Sequence, residues 1–132
     1  MDERSALRRL AAALPAAGDD AAVVDDTVVT TDMLHETTDF PTGTTRYTAG
    51  WRAVGASLSD VAAMGADATA AVAAYAAPTL EEPELDAFVA GAVDVCKLAG
   101  SEYVGGDLDT ASEFTVTTTA VGETDTPVRR SG

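Results

Sequence analysis

The chain runs RYTAGWRAVGASLSDVAAMGADATAAVAAYAA from position 46 to position 77, and its periodicity changes within this stretch. Apolar residues recur at steps of three and four in the first part: Trp51, Val54, Leu58, Val61 and Ala62. This spacing predicts an amphipathic helix over residues 46–65. The alanine-rich residues 68–77 fit a helix or a strand by propensity. We predict a strand, because the segment lies between two helical stretches and ends at a proline.

The rest of the chain extends this pattern in both directions. We predict a helix at 5–14, a hairpin of strands at 21–24 and 27–31, a polar loop at 35–45, a helix at 81–98, strands at 102–104 and 112–121, and a tail from 122. Strands mixed with two crossover helices predict an α+β fold with a mixed β-sheet and helices on one face. The other face of the sheet then needs a cover, either from a second subunit or from a further domain.

The composition is strongly acidic, with 22 Asp and Glu against 8 Lys and Arg and a net charge of −14. This charge repels nucleic acid and anionic membranes, so neither is expected as a partner. Abundant acids with Lys97 as the single lysine are typical of a halophilic archaeon. The few aromatic residues predict a core of Val, Ala and Leu with few large side chains. The single Cys96, and a start (Met-Asp-Glu-Arg at 1–4) that is not the basic opening of a signal peptide, favour a cytoplasmic protein.

Carboxylates recur where we expect strands to begin or end. Asp20 precedes the first strand, Asp32 ends the second, and Asp107 follows another, while Asp60 lies in the first long helix. Carboxylates that converge on one sheet edge repel each other, and a divalent cation relieves this repulsion; Mg²⁺ prefers such hard oxygen ligands. The alternative is that these residues are helix caps, turns and solvated surface acids, since the whole chain is acidic.

The neighbours of these carboxylates separate them from other surface acids. Asp60 lies in the otherwise apolar segment 58–66, where a lone buried carboxylate is costly, although a helix interruption remains the alternative. Two glycines precede Asp107, and their N–H groups can contact an oxyanion, but Gly-Gly-Asp is also an ordinary turn. Thr30 and Thr31 place hydroxyl groups beside Asp32, which is consistent with ligation of a hard metal ion. The alternative is a β-branched strand that ends in a turn.

Other candidate residues are weaker. His35 is the single histidine, and no Ser or Cys forms a recognisable triad with it, so we expect a surface or substrate-loop role. Cys96 has apolar neighbours on a predicted helix and is expected in the core. Arg129 and Arg130 can pair with phosphate, although a basic tail is the alternative.

Five segments, in this order, resemble the N-terminal domain of thiamine-monophosphate kinases. They are Gly-Asp-Asp-Ala-Ala at 18–22, Thr-Thr-Asp-Met-Leu at 30–34, Leu-Ser-Asp-Val-Ala-Ala-Met-Gly-Ala at 58–66, Gly-Gly-Asp at 105–107 and Arg-Arg-Ser-Gly at 129–132. The resemblance implies ATP-dependent phosphorylation of thiamine monophosphate to thiamine diphosphate. Residues 1–132 would form the N-terminal ATP- and Mg²⁺-binding domain, without the C-terminal domain. It also implies a homodimer in which the sheets of two subunits form a shared barrel.

The resemblance also assigns residues to this site. It implies Mg²⁺ ligation by Asp20, Thr30, Thr31, Asp32, Asp60 and Asp107, and ATP contacts by Gly106, Asp107 and Arg130. It assigns no residue as acid, base or nucleophile, because the terminal phosphate of the substrate attacks directly. Asp39 stands where bacterial members often have a substrate-contacting His before Phe, so the transfer of that contact to Asp39 is doubtful.

Two other functions remain open at this point. One is another ATP-using enzyme of the same architecture, such as selenophosphate synthetase or aminoimidazole-ribonucleotide synthetase. The other is a non-catalytic dimerisation module, because relatives continue into a C-terminal domain that supplies further contacts.

Overall fold

The computed structural model describes Asp2, Ser5, Ala6, Arg9 and residues 21–124. Ser5, Ala6 and Arg9 are helical, and the rest of the helix predicted at 5–14 lies outside the described residues. The elements that follow are β1 (Ala22–Val24), β2 (Thr27–His35), α1 (Glu36–Asp39), α2 (Arg46–Ala63), β3 (Asp67–Ala77), α3 (Glu82–Leu98), β4 (Glu102–Thr110) and β5 (Thr115–Glu123). The predicted order of strands and long helices is confirmed, and the short helix α1 is an addition.

The strands form one five-stranded mixed sheet in the order β1-β2-β5-β3-β4. Only β3 and β4 pair in parallel, and α3 crosses between them; the other neighbours are antiparallel. Asp25 lies in the tight turn between β1 and β2 with φ 55, a left-handed conformation that Asp tolerates better than most residues. The predicted hairpin and the mixed sheet are therefore confirmed.

Both long helices pack against the same face of this sheet. Alternate residues of β5 (Val116, Thr118, Ala120 and Gly122) are buried under the helices, while those between them are partly exposed. The opposite face is formed by Val29, Thr31 and Met33 of β2, Thr117, Thr119 and Val121 of β5, and Ala70, Val72 and Ala74 of β3. We call it the open face. No described element covers it, and Met33 is 61% exposed.

The core consists of an aliphatic cluster and an aromatic cluster. Val28, Val54, Leu58 and Val61 belong to the first, between α2 and the sheet. The second contains Tyr75, Phe88 and Phe114, whose ring centroids lie 5.1–6.2 Å apart, within the usual range for aromatic pairs. The expectation of few large core residues is met, but those few are concentrated at one end of the helix pair.

The two long helices touch at their backbones. A Cβ atom built on Gly91 of α3 would overlap the carbonyl oxygen of Tyr47 on α2, and one on Gly50 would overlap the carbonyl oxygen of Phe88. The predicted apolar stripe of α2 is slightly rotated, since Ala53 and Ser57 are buried whereas Trp51 is 38% exposed. Among the described residues, no helix has the length and apolar character of a membrane span.

Two strands are longer than the sequence predicted. β2 continues to His35, so the loop expected at 35–45 is reduced to α1 and the residues after it. β4 continues through Gly105 and Gly106 to Thr110, although a strand was expected only at 102–104. The predicted ends were wrong because backbone pairing with β5 and β3 continues across residues that remain partly or fully exposed to water.

Candidate functional site

Asp32 lies on the helix-covered face of the sheet, in contact with two buried hydroxyl groups. Ser57 Oγ of α2 donates to Asp32 Oδ2 at 3.2 Å, and Thr118 Oγ1 of β5 lies 2.6 Å from the same Ser57 oxygen. Ser57 and Thr118 are both fully buried, whereas Asp32 is half-buried. In the described part of the chain, no arginine or lysine forms an ion pair with Asp32. The carboxylate is therefore hydrogen-bonded but not neutralised by any cation of the described residues.

Two other predicted ligands are near Asp32 in the fold. Thr30 is buried two residues earlier, on the same face of β2. Asp60 is half-buried on α2, one helical turn after Ser57. The prediction that Asp60 lies in a helix is confirmed, because α2 continues without interruption from Arg46 to Ala63.

The remaining described candidates lie on the other side of the sheet. Thr31 belongs to the open face, where Thr119 Oγ1 donates to its hydroxyl oxygen at 3.2 Å. Asp107 pairs in register with Ala74 and is therefore on the open face as well. Since Asp32 pairs with Thr118 on the helix-covered face, the two aspartates are on opposite sides of the sheet and three strands apart in its order.

The predicted convergence at strand ends is therefore wrong for Asp32 and Asp107. Both lie in the middle of a strand, because β2 and β4 continue past them. Among the described residues, no three Asp, Glu, His or Cys side chains come close enough to hold one metal ion. Asp20 and Arg130 lie outside the described residues.

The Gly105-Gly106 pair is not a turn but part of an irregular edge strand. Register shifts after Ala71, so that β4 advances by one extra residue at Val104. Gly106 has φ 154, and a Cβ atom there would overlap the carbonyl oxygen of Ala73 on β3. Glycine is thus required by the pairing of two strands, a structural reason that sequence reasoning did not foresee.

A shallow apolar pocket of about 220 Å³ adjoins this edge. Its walls include Phe88 and Val89 of α3, Tyr103, and the backbone of Gly105 and Gly106. Asp107 also lines this pocket, and its Oδ1 accepts from the backbone N–H of Leu108 at 3.0 Å. An apolar slot next to the exposed backbone of an edge strand fits a flat ring.

A larger pocket of about 310 Å³ lies beside α1, between Phe40, Pro41, Thr44, Arg46 and Phe114. The Arg46 guanidinium lies 3.9 Å from the centre of the Phe114 ring, donates to Tyr75 Oη at 3.1 Å, and forms ion pairs with Glu36 and Glu84. Burial acts to lower the pKa of Arg46, but the Tyr75 hydrogen bond and the two carboxylates outweigh it and raise that pKa. Arg46 is thus a fixed cation at the pocket wall.

Asp39 does not line this pocket. Its Oδ2 accepts hydrogen bonds from the backbone N–H of His35 at 2.7 Å and from Thr38 Oγ1 at 3.2 Å, so the carboxylate closes the short helix α1. Its neighbour Phe40 lines the pocket instead. The arrangement gives Asp39 a local structural role, and contact with a substrate stays a prediction.

His35 and Cys96 have no catalytic geometry. His35 Nδ1 lies 3.3 Å from Thr115 Oγ1 at the end of β2, and no serine or cysteine among the described residues is hydrogen-bonded to the imidazole. Cys96 is buried, and this burial raises the pKa of its thiol, so the thiol remains protonated. The prediction that Cys96 belongs to the core is confirmed.

Sequence reasoning missed Ser57, Thr118 and Arg46. A signal for Ser57 existed, since a serine at a buried position of an amphipathic helix needs a hydrogen-bond partner. Thr118 could not be distinguished from the other threonines of β5 before its face was known. For Arg46, the sequence indicated only the first residue of a helix.

The fold is that of an α+β domain with a mixed sheet and two long helices on one face. Comparison with known proteins identifies the family within this fold class. The family described as AIR synthase related protein, N-terminal domain, matches residues 18–124, and the chain belongs to this family. It is 67% identical over 132 residues to the thiamine-monophosphate kinase of Halobacterium salinarum, covering 100% of this chain and 46% of that protein. It is 46% identical over 107 residues to the enzyme of Methanospirillum hungatei, covering 80% of this chain and 37% of that one.

A solved structure agrees with these sequence matches. The structure of AaThiL complexed with AMPPCP and TMP has a TM-score of 0.87 and 28% identity, covering 98% of this chain and 43% of that one. This chain spans about half the length, or less, of the relatives it matches.

Proposed function

We propose that the chain supplies the N-terminal, Mg-ATP-binding half of a thiamine-monophosphate kinase. The observation that carries this proposal is the 67% identity to such a kinase over all 132 residues. A similar chain in complex with the ATP analogue AMPPCP and TMP supports ATP as the phosphoryl donor and thiamine monophosphate as the acceptor. The domain assignment rests on the same relatives, of which this chain spans 46% or less.

The donor set fits a hard divalent cation. Mg²⁺ commonly binds through one or two carboxylates and keeps its other positions for water and substrate phosphates, so a cluster of three carboxylates is not required. Asp32 and Asp107 carry charges that no described arginine or lysine neutralises. We assign Mg²⁺ ligation to Asp32, Thr30 and Asp60 beside the helices and to Thr31 and Asp107 on the open face, and the family resemblance adds Asp20 to this set.

The residues of the chain would act by positioning rather than by covalent chemistry. Magnesium, when bound, neutralises charge on the transferred phosphoryl group. Gly106 and Asp107 would orient the nucleotide beside the apolar pocket at α3, and Arg130 would contact its phosphates. The pocket at Phe40 and Arg46 offers a second place for an organic ring.

The open face is assigned to a second copy of the chain. It presents threonine, valine and alanine side chains without a charge among its central residues, as a buried sheet face does. The pairing of two such faces into a barrel-like homodimer predicts a dimer in sedimentation experiments, and Thr117→Lys should shift it to a monomer. A monomeric wild-type protein would refute this part.

The proposed activity is tested on the full-length gene product that carries this chain. Incubation with ATP, MgCl₂ and thiamine monophosphate in high salt should yield thiamine diphosphate, separated by chromatography. Turnover of selenide or of the aminoimidazole-ribonucleotide precursor instead would assign the protein to another enzyme of the same architecture. Calorimetry of the 132-residue chain with ATP and Mg²⁺ addresses the module alternative, because the complete absence of binding heat favours a non-catalytic role.

A further inference from the structure

We propose that Ser57 and Thr118 are positioning residues that hold the Asp32 carboxylate in its cation-binding orientation. The inference deepens the proposed function and rests on it. It starts from a contact between three elements, in which α2 supplies Ser57, β5 supplies Thr118 and β2 supplies Asp32.

The direction of these hydrogen bonds follows from counting protons. Each hydroxyl has one proton to donate, whereas an ionised carboxylate only accepts. If Ser57 donates to Asp32, the 2.6 Å contact between the hydroxyl oxygens requires Thr118 to donate to Ser57. The order is then Thr118 to Ser57 to Asp32, and the carboxylate receives a bond from a polarised chain.

The same hydroxyls have a second arrangement that does not involve Asp32. Thr118 Oγ1 lies 3.3 Å from the carbonyl oxygen of Ala53, so Ser57 can donate to Thr118 and Thr118 to Ala53. Both buried hydroxyls would be satisfied in this arrangement without Asp32. The negative charge on Asp32 therefore favours the first of these two hydrogen-bond arrangements. The contact between Ser57 and Asp32 is not needed to give the buried hydroxyls hydrogen-bond partners.

The consequence for Asp32 is that its two oxygens differ. Oδ2 accepts from Ser57, whereas no hydrogen bond to Oδ1 is found among the described residues. A side chain fixed at one oxygen presents the other in a defined direction, which reduces the entropy lost when a cation binds. Substitution of the partners of ligating carboxylates typically lowers metal affinity about 10-fold to 100-fold.

The experiment measures Mn²⁺ binding to the full-length gene product by the EPR signal of free Mn²⁺. We expect Ser57→Ala and Thr118→Val to weaken Mn²⁺ binding about 10-fold. Thr118→Ser keeps the hydroxyl and should retain wild-type affinity. In an Asp32→Ala background, Ser57→Ala should cause no further loss. Thr118→Val has almost the shape of threonine, so it tests the idea even if Ser57→Ala fails to fold.

Melting temperatures and product formation separate the possible outcomes. Wild-type Mn²⁺ affinity in folded Thr118→Val, with only its melting temperature lowered, would reduce the hydroxyls to a structural role and overturn the inference. Failure of the wild type to bind Mn²⁺ would overturn it as well. If the variants lose Mn²⁺ as expected but the wild type forms no thiamine diphosphate, the positioning role stands and the proposed reaction fails.

Discussion

Asp32 combines partial burial, a hydroxyl partner and the absence of a neutralising arginine or lysine in the described structure. A half-buried carboxylate with these neighbours offers hard oxygen atoms to a cation such as Mg²⁺. This environment fits the cation-binding role that we propose for Asp32.

Replacement of Asp32 by Asn keeps the shape and removes the charge. We expect product formation by the full-length protein to fall about 100-fold, because charge stabilisation of the transferred group is lost. The melting temperature should be unchanged or slightly higher, since an unneutralised charge is removed. Asp107→Asn should lower turnover in the same way, and wild-type turnover in either variant would exclude that residue from the mechanism.

Glu113 connects the segment before β5 to helix α1. Its Oε1 accepts from the backbone N–H of Thr37 and from the Thr37 hydroxyl, both at 3.0 Å. The backbone bond first, and the hydroxyl second, lower the pKa of this exposed carboxyl below its ordinary value. A lowered pKa in the folded state contributes stability above the unfolded-state pKa, and this contribution is lost as the pH falls through the folded-state pKa.

The measurement is the melting temperature as a function of pH. We expect Glu113→Gln to lower it slightly at neutral pH and to have no effect in strong acid, where the carboxyl is protonated in both states. Glu102→Gln, at an exposed acid of β4, is the matched control. An equal effect of Glu113→Gln at all pH values would contradict the assignment.

At the scale of elements, the contact between α2 and α3 depends on missing side chains. Gly91→Ala places a Cβ atom against the carbonyl oxygen of Tyr47. Because this oxygen belongs to the backbone of α2, the overlap can be relieved only if the two helices move apart. We expect a loss of about 1–3 kcal/mol in the free energy of unfolding, measured with denaturant.

Gly55→Ala is the matched substitution in the same helix pair. Its new Cβ would meet Val95 Cγ2 at 3.2 Å, and a side-chain tip can shift where a carbonyl cannot. A gain in helix propensity of up to about 1 kcal/mol offsets this contact, so stability should be nearly unchanged. Equal destabilisation by both substitutions would mean that the backbone contact is not decisive.

The bounds of the two long helices were predicted to within two residues, whereas the faces of the strands were not predicted. The periodicity of residues 46–63 is local and visible in the sequence, since burial of Val54, Leu58 and Val61 repeats with the helical turn. Whether Asp32 or Thr31 faces the helices depends on the pairing of β2 with β5, more than eighty residues away in the chain. The magnesium-ligand role of these residues therefore stays a prediction, and the expected meeting of Asp32 and Asp107 at one sheet edge was wrong because it depended on long-range pairing.

At the scale of the whole molecule, the net charge of −14 sets the response to salt. The screening length falls from about 10 Å at 0.1 M to about 3 Å at 1 M, which weakens repulsion between surface carboxylates. The ion pairs found in the described residues both involve Arg46, so little attraction is lost by screening. The melting temperature should rise between low and molar KCl, and a flat or falling curve would contradict a fold adapted to salt.

Side chains of β2 alternate between the two faces of the sheet, and this alternation limits which insertions and deletions the protein can tolerate. Thr30 and Asp32 point toward the helices and Thr31 toward the open face, so neighbouring codons specify opposite sides of the sheet. Loss of a single codon inside β2 would exchange the two sides for every residue that follows within the strand. Natural variation in Thr27–His35 should therefore take the form of substitutions at constant length, while insertions and deletions collect in the turn at Asp25 and in the segment after α1.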